Sequence, residues 1–230
     1  MREVDRSQAL RLMHCLARAD GSIHAMLNNP KARKAVSGLL DPPAKLLLRL
    51  RISPDAVTVV GTLGAVAVSV VFLAQGSFVL GVIGVVVFAL ADLLDGAMAR
   101  MKGTSGPWGN FLDASLDRVA DGAIFGSVAF WAATSGEMWL AAGTLIALVA
   151  GQVTSYTKAR AEAVGAEANV GIVERAERLI AILAALFLSG VGVPWVLDIV
   201  VWALAILGLA TVVQRMVHVR KQLKPRSDNS

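Results

Sequence analysis

Five aspartates stand in two largely apolar stretches of this sequence, and they are the residues best suited to chemistry. Asp92 and Asp95 lie in the first stretch, and Asp113, Asp117 and Asp121 lie in the second. A carboxylate at the centre of a membrane-spanning helix costs about 2.5–3.5 kcal/mol, and less near the helix ends. A bound cation offsets that cost, and an all-oxygen ligand set suits Mg²⁺ or Mn²⁺. The sequence therefore predicts a divalent metal site.

The spacing of four of these aspartates allows them to share that site. On an α-helix, Asp92 and Asp95 fall within about 60° of each other, since each residue turns the helix by about 100°. Asp113 and Asp117 are one turn apart and share a face. The short loop between the two stretches predicts antiparallel neighbouring helices, so that the four carboxylates converge. Pairing of each aspartate with a nearby arginine, or an ion or proton relay in a transporter, are the alternatives.

The composition of the chain requires a membrane to position these helices. Hydrophobic residues make up 56% of the 230 residues, and charged residues only 17%, against roughly 25% in a soluble domain. We predict an all-α membrane protein with six transmembrane helices and a preceding interfacial amphipathic helix at 42–51. The six segments, each near the length of about 20 residues that a span needs, are 55–74, 78–100, 110–133, 138–160, 176–191 and 195–216.

The basic residues predict the orientation of this layout. None of the 22 Lys and Arg residues falls in the alternate loops near 75–77, 134–137 and 190–194. By the positive-inside rule, both termini and the aspartates face the cytoplasm, and we place the protein in the plasma membrane as a multi-pass protein. Because the basic residues flank spans and no recognition motif is present, we expect no binding to nucleic acid.

Three regions differ in composition. Residues 1–40 are charged and contain no spanning run, and we interpret them as a polar segment of unassigned role, either a soluble appendage or a stretch added to the natural chain. Residues 41–222 form the transmembrane domain. Residues 223–230 form a polar tail.

The aspartates belong to a longer pattern of residues. The sequence reads Asp92-Leu-Leu-Asp95-Gly-Ala-Met-Ala-Arg100, then eight residues, then Gly109-Asn-Phe-Leu-Asp113-Ala-Ser-Leu-Asp117. This stretch resembles the signature of the CDP-alcohol phosphotransferases at every defined position. The resemblance implies an enzyme that joins an alcohol to a CDP-activated donor and releases CMP.

The resemblance also implies a cofactor, two sets of residues and an assembly. Two Mg²⁺ ions, or Mn²⁺ in their place, would be held by Asp92, Asp95, Asp113 and Asp117, with Asp117 also acting as general base. Asp55 stands where the family commonly has asparagine. The family suggests a homodimer. The donor CDP-diacylglycerol would be bound by Ser53, Pro54, Asp55, Ala56, Thr58, Gly96, Ala99, Arg100 and Gly109.

Two basic segments in the second half predict the acceptor. Ser155-Tyr-Thr-Lys-Ala-Arg-Ala-Glu162 and Glu174-Arg-Ala-Glu-Arg178 resemble the actinobacterial phosphatidylinositol-phosphate synthases, which couple CDP-diacylglycerol to inositol 1-phosphate. A phosphatidylglycerophosphate synthase, or another member of the family, remains the alternative, because it too can take a phosphorylated acceptor. The residues expected to bind the acceptor phosphate are Lys158, Arg178, Arg215, Ser155, Arg118, Arg160 and Arg175.

Overall fold

The computed structural model describes residues 41–103 and 106–224. The predicted segment 1–40, most of the tail 223–230 and part of the loop before the third predicted span lie outside the described residues. The described chain divides into two compact units. One contains 41–54 and 93–103, and the other contains 55–92 and 106–224.

Helices account for every regular element that the described residues form. A first helix, α1, covers 41–49. The others, with a 3₁₀ turn at Leu73–Gln75 after the second, are α2 (Pro54–Phe72), α3 (Phe78–Lys102), α4 (Pro107–Thr134), α5 (Met138–Ala163), α6 (Arg175–Gly190) and α7 (Val196–Leu223). The six helices α2–α7 coincide closely with the six predicted segments, so the all-α fold is confirmed.

Four of the six helices are long and apolar enough to cross a membrane. They are α2 with its 3₁₀ extension, α3, α5 and α7. Helix α4 carries four charged residues, Asp113, Asp117, Arg118 and Asp121. Helix α6 has 16 residues, about 24 Å at 1.5 Å per residue, against a bilayer core of about 30 Å. The chain is thus a multi-pass membrane protein, while six spans remain a prediction.

The segment predicted to lie in the membrane interface begins as a helix and stops sharply. Arg51 has a positive φ of 60°, its amide donates to the Leu48 carbonyl at 3.0 Å, and the Ile52 amide donates to the Leu47 carbonyl at 3.1 Å. This pair of bonds is a Schellman motif, which closes the helix end before Pro54. Leu46 and Leu50 are exposed, as an interfacial helix requires, and its membrane placement stays a prediction.

Small residues allow the helices of the larger unit to approach closely. Helix α5 packs against α4 and α7, and α6 packs against α7. A Cβ at Gly143 of α5 would lie 3.0 Å from Val201 of α7, and one at Gly208 would lie 2.9 Å from Ala150. Close contact between small residues is the usual way in which helices associate where lipid supplies no hydrophobic drive. The result is a rigid frame for the polar side chains of α4–α7.

Candidate active site

The two halves of the aspartate motif lie on α3 and α4. Asp113 and Asp117 are one turn apart on α4, where Asp113 is exposed and the Asp117 side chain is 14% exposed. Asp92 and Asp95 both lie in α3. Asp95 is half-buried in the smaller unit, and the side chain of Asp92 lies outside the described residues.

The residues predicted to bind the nucleotide occupy helix starts and the end of α3. In the smaller unit, α3 carries Gly96, Ala99 and Arg100. In the larger unit, the indole Nε1 of Trp108 donates a hydrogen bond of 3.0 Å to Asp55 Oδ2. This bond joins the start of α2, which holds Ala56 and Thr58, to the start of α4, which holds Gly109. Ser53 and Pro54 directly precede Asp55.

A cluster of ion pairs connects α4 to α6. Arg175 Nη2 lies 2.7 Å from Asp117 Oδ1, and Arg178 Nη2 lies 2.5 Å from Asp121 Oδ2. Arg118 Nη2 is 3.8 Å from one oxygen of each of these two aspartates. Asp121 and Arg178 are almost fully buried. Because buried charges are costly unless paired, this cluster fixes α4 relative to α6.

The start of α6 determines where its two arginines lie. Glu174 is the N-cap, and its amide donates to Glu177 Oε2 at 2.8 Å, while the Glu174 side chain accepts from the amide of Glu177. This reciprocal capping box fixes the first turn of the helix. Arg175 and Arg178 lie on that turn, and their guanidinium groups contact Asp117 and Asp121 of α4.

A cavity of about 770 Å³ opens among α4, α5, α6 and α7. Arg215 of α7 is held beside it by two hydrogen bonds of 2.8 Å, from Nε to the Val170 carbonyl and from Nη1 to the Thr154 carbonyl. Arg160 is exposed and does not line the cavity. Six of the seven residues predicted to contact the acceptor phosphate line it: Arg118, Ser155, Lys158, Arg175, Arg178 and Arg215.

Asp117 borders a different, smaller cavity of about 30 Å³, together with Thr62, Phe88 and Arg175. Arg175 lines both cavities. Arg175 therefore contacts the carboxylate predicted to be the general base and also borders the space predicted to receive the acceptor.

The donor chemistry of the motif fits a hard divalent cation, since carboxylate oxygens are what Mg²⁺ and Mn²⁺ prefer. Asp113 is exposed and accessible to an ion. The Asp117 carboxylate pairs with Arg175, so a metal ion bound there would replace one cationic partner of this carboxylate by another. Among the side chains that the structure describes, no group of three or more potential ligands surrounds a single point.

Two residues of this site were not assigned by the sequence interpretation. Asp121 was recognised only as one of five acidic residues in apolar stretches, without a partner. Gly151 of α5 was not singled out, although a Cβ there would overlap the guanidinium of Arg178. The available signal was the repeat of aspartates at 113, 117 and 121, which places all three on one helical face.

We expect Gly151→Ala to weaken acceptor binding while the fold survives. The added methyl meets the flexible end of Arg178, so the fold can yield by moving that guanidinium. An acceptor KM raised about tenfold, with the donor KM unchanged, is the expected result. Gly126→Ala is the matched control, because its added Cβ would meet nothing within 4 Å beyond its chain neighbours and the nearby backbone of its own helix. An unchanged acceptor KM in Gly151→Ala would show that the position of Arg178 is unimportant.

Fold and site together define a class of protein: a helical membrane enzyme with a carboxylate motif on two helices and a strongly basic cavity. The family model for CDP-alcohol phosphatidyltransferase matches residues 51–217. The chain belongs to this family and is a phosphatidyltransferase of phospholipid biosynthesis, which confirms the predicted family and enzyme class. The transporter alternative is thereby set aside.

Known relatives agree on one type of enzyme. The chain is 46% identical to the phosphatidylinositol phosphate synthase of Streptomyces avermitilis, covering 86% of this chain and 84% of the relative. It is 44% identical to the synthase of the same name from Mycobacteroides abscessus, covering 86% and 93%. The predicted resemblance to actinobacterial phosphatidylinositol-phosphate synthases is confirmed.

Solved structures show the same fold. The crystal structure of the Mycobacterium tuberculosis phosphatidylinositol phosphate synthase with CDP-DAG bound has a TM-score of 0.77 and 39% identity, covering 83% of this chain and 97% of that one. The same synthase in complex with manganese and citrate has a TM-score of 0.75 and 38% identity, covering 83% and 92%.

Proposed function

We propose that this protein transfers the phosphatidyl group of CDP-diacylglycerol to inositol 1-phosphate. A hydroxyl oxygen of the acceptor forms a bond to the phosphorus that carries diacylglycerol, the bond from that phosphorus to CMP breaks, and the acceptor proton passes to a base. The products are phosphatidylinositol phosphate and CMP. The single observation that carries a phosphorylated acceptor is the basic cavity beside α4, because a phosphate dianion needs several convergent cations. The choice of inositol 1-phosphate over glycerol 3-phosphate is supported by the similarity to the phosphatidylinositol phosphate synthases.

The acceptor phosphate is proposed to be held by the cationic wall of this cavity. Arg118, Arg175, Arg178, Arg215 and Lys158 line it, and arginine guanidinium groups bind phosphate oxygens in pairs. Ser155 adds a hydroxyl donor. Arg160, although assigned to this group from the sequence, is exposed on α5, and we propose for it only a peripheral attraction of the anion.

The donor is proposed to be bound by the motif and the start of α2, while its acyl chains remain in the bilayer. Glycine and alanine at the predicted positions leave room for a nucleotide to approach the backbone, and a Cβ placed at Gly109 would meet nothing within 4 Å beyond its chain neighbours and the nearby backbone of its own helix. The proposed donor residues are Ser53, Pro54, Asp55, Ala56, Thr58, Gly96, Ala99, Arg100 and Gly109.

Asp92, Asp95, Asp113 and Asp117 are proposed to hold two Mg²⁺ ions, at positions that Mn²⁺ can also occupy. The support is the complete motif and the manganese complex of a relative. Such ions supply positive charge that stabilises the oxygens of the donor pyrophosphate. Asp117 is proposed to accept the proton of the attacking hydroxyl at a carboxylate oxygen.

Metal removal provides a direct test. We expect EDTA to abolish CMP release and excess Mg²⁺ or Mn²⁺ to restore it, because without a cation the motif carboxylates would repel the donor pyrophosphate. The unfolding temperature of the detergent-solubilised protein is the second readout, and it should rise when metal is returned. Full CMP release in the presence of EDTA would contradict the metal assignment.

We further propose six membrane spans in residues 41–222, with the active site and both termini in the cytoplasm, and a homodimeric assembly. The support for the orientation is the location of Lys and Arg at one set of helix ends, and the homodimer rests on the family alone. Single cysteines at Gly136 and at Lys224, introduced after Cys15→Ser, test the orientation. In intact cells, an impermeant maleimide should label the first and not the second; the reverse labelling would contradict this topology.

An assay with two acceptors tests the proposed substrate. The purified protein is supplied with CDP-diacylglycerol and Mg²⁺, and CMP release is followed with inositol 1-phosphate or with glycerol 3-phosphate. We expect release with inositol 1-phosphate. Release with glycerol 3-phosphate alone would contradict the acceptor and indicate a phosphatidylglycerophosphate synthase of the same family.

A further inference from the structure

Asp121 is the most deeply buried carboxylate of the ion-pair cluster. It is 2% exposed, and its partners all lie on α4 or α6. Its Oδ2 is 2.5 Å from Arg178 Nη2 and 3.8 Å from Arg118 Nη2, and its Oδ1 is 3.6 Å from Arg175 Nε. One carboxylate thus approaches three guanidinium groups, each of which lines the large cavity.

Within the described part of the chain, the residues that line this cavity do not include Asp121. Its carboxylate is almost fully buried and contacts arginines that do line the cavity, so we expect no direct contact between Asp121 and an acceptor. Its contribution must pass through the side chains that it holds.

The charge balance of the cluster depends on Asp121. Three arginines face two carboxylates, Asp117 and Asp121. Asp117 belongs to the proposed metal and base machinery, so its pairing with Arg175 is not available throughout turnover. Asp121 lies outside the motif and is the carboxylate that remains. Without it, three guanidinium groups would repel one another and separate.

The arginines retain unused hydrogen-bonding capacity. Within residues 41–103 and 106–224, the buried side-chain nitrogens without a hydrogen-bond partner are Arg118 Nε and Arg175 Nε. A shared carboxylate cannot satisfy all the donors of three arginines. The cluster is thus held together by Asp121 and still has more donors than carboxylate acceptors.

We propose that Asp121 is a positioning residue that holds Arg118, Arg175 and Arg178 together for the phosphate of the acceptor. This inference rests on the proposed function and deepens it, because it assigns the orientation of the acceptor site to a residue outside the motif. Asp121 takes no proton from the substrate and binds no metal.

The substitution Asp121→Asn separates positioning from simple charge. If Asp121 only reduced the positive charge of the cavity, its neutralisation would tighten binding of an anion and lower the acceptor KM. If it positions the arginines, the asparagine NH₂ group opposes the guanidinium donors and the arginines separate. We expect the acceptor KM to rise about tenfold or more, with a much smaller change in the KM for CDP-diacylglycerol.

Two further variants keep this test decisive. Asp121→Glu restores the charge at a shifted position, and we expect an acceptor KM between those of the wild type and Asp121→Asn. Asp198→Asn, at the start of α7, is the control and should leave the acceptor KM and the donor KM unchanged. Thermal unfolding monitors the fold, and if Asp121→Asn does not fold, Asp121→Glu carries the comparison of the two KM values.

The outcomes distinguish this proposal from the proposed function. The KM values are measured with whichever phosphorylated acceptor the wild type uses, so activity with glycerol 3-phosphate alone overturns the proposed acceptor but not the role of Asp121. A lower acceptor KM in Asp121→Asn, an equal rise of both KM values, or a wild type that prefers unphosphorylated inositol would overturn the positioning role.

Discussion

Replacement of Asp117 by asparagine should lower kcat by about 10³-fold or more, while CDP-diacylglycerol still binds. A general base contributes about 10²–10⁴-fold to a reaction rate. The amide of asparagine neither accepts the proton nor supplies the negative charge that a carboxylate offers to a metal ion. The other three motif aspartates remain as proposed metal ligands, and the proposed donor-binding residues are unchanged. The measurement is CMP release under saturating substrates, together with the donor dissociation constant.

Asp117 also pairs with Arg175 at 2.7 Å, so a loss of structure must be separated from a loss of chemistry. Arg175→Gln removes the same ion pair while keeping the Asp117 carboxylate, and it should raise the acceptor KM with a much smaller loss of kcat. Thermal unfolding of both variants reports on the fold. Turnover retained in Asp117→Asn would remove Asp117 from the role of base.

Replacement of Arg178 by alanine should produce the largest effect on the acceptor. The guanidinium is buried against Asp121 and lines the basic cavity. Loss of a buried charged partner in a binding site costs about 2 kcal/mol or more, which is about 30-fold in affinity. The acceptor KM should therefore rise by at least this factor, and the donor KM far less.

Arg178→Ala also leaves Asp121 buried without its nearest partner, which costs about 3–5 kcal/mol of stability. Arg178→Lys keeps the charge and tests the planar guanidinium, and we expect an intermediate acceptor KM. Lys158→Ala is the exposed counterpart in the same cavity and should raise the acceptor KM without lowering the unfolding temperature. Equal effects on donor and acceptor KM would mean that these residues only anchor the protein at the membrane surface.

Local patterns of the sequence predicted the helices well. The charge-free stretch from Ala56 to Ala91 is too long for one span, and its break at 75–77 coincides with the 3₁₀ turn and the positive φ of Gly76. Helix starts and ends follow from residues within a few positions of one another, such as the capping box at Glu174. Membrane crossing was less predictable for α4 and α6. Helix α4 carries charged residues and helix α6 is short, so length and apolarity do not show whether either helix spans the bilayer.

The site was predictable in its residue types but not in its pairings. Spacing indicated the acidic motif and resemblance indicated the basic segments, and six of the seven acceptor residues line one cavity. Arg160 does not, because it lies on the exposed side of α5, and a run of basic residues does not reveal which of them faces inward.

By itself the sequence determined that this protein is a helical membrane protein with a carboxylate motif, because those features depend on composition and on spacing within single helices; that it is an enzyme followed from the resemblance of the motif to a known family. Only the tertiary structure decided which charges meet. Arg178 and Asp121 are 57 positions apart, and Gly151 makes room for their contact from a third helix. Such contacts depend on how α4, α5 and α6 pack, and helix packing is the property that periodicity within one segment does not encode.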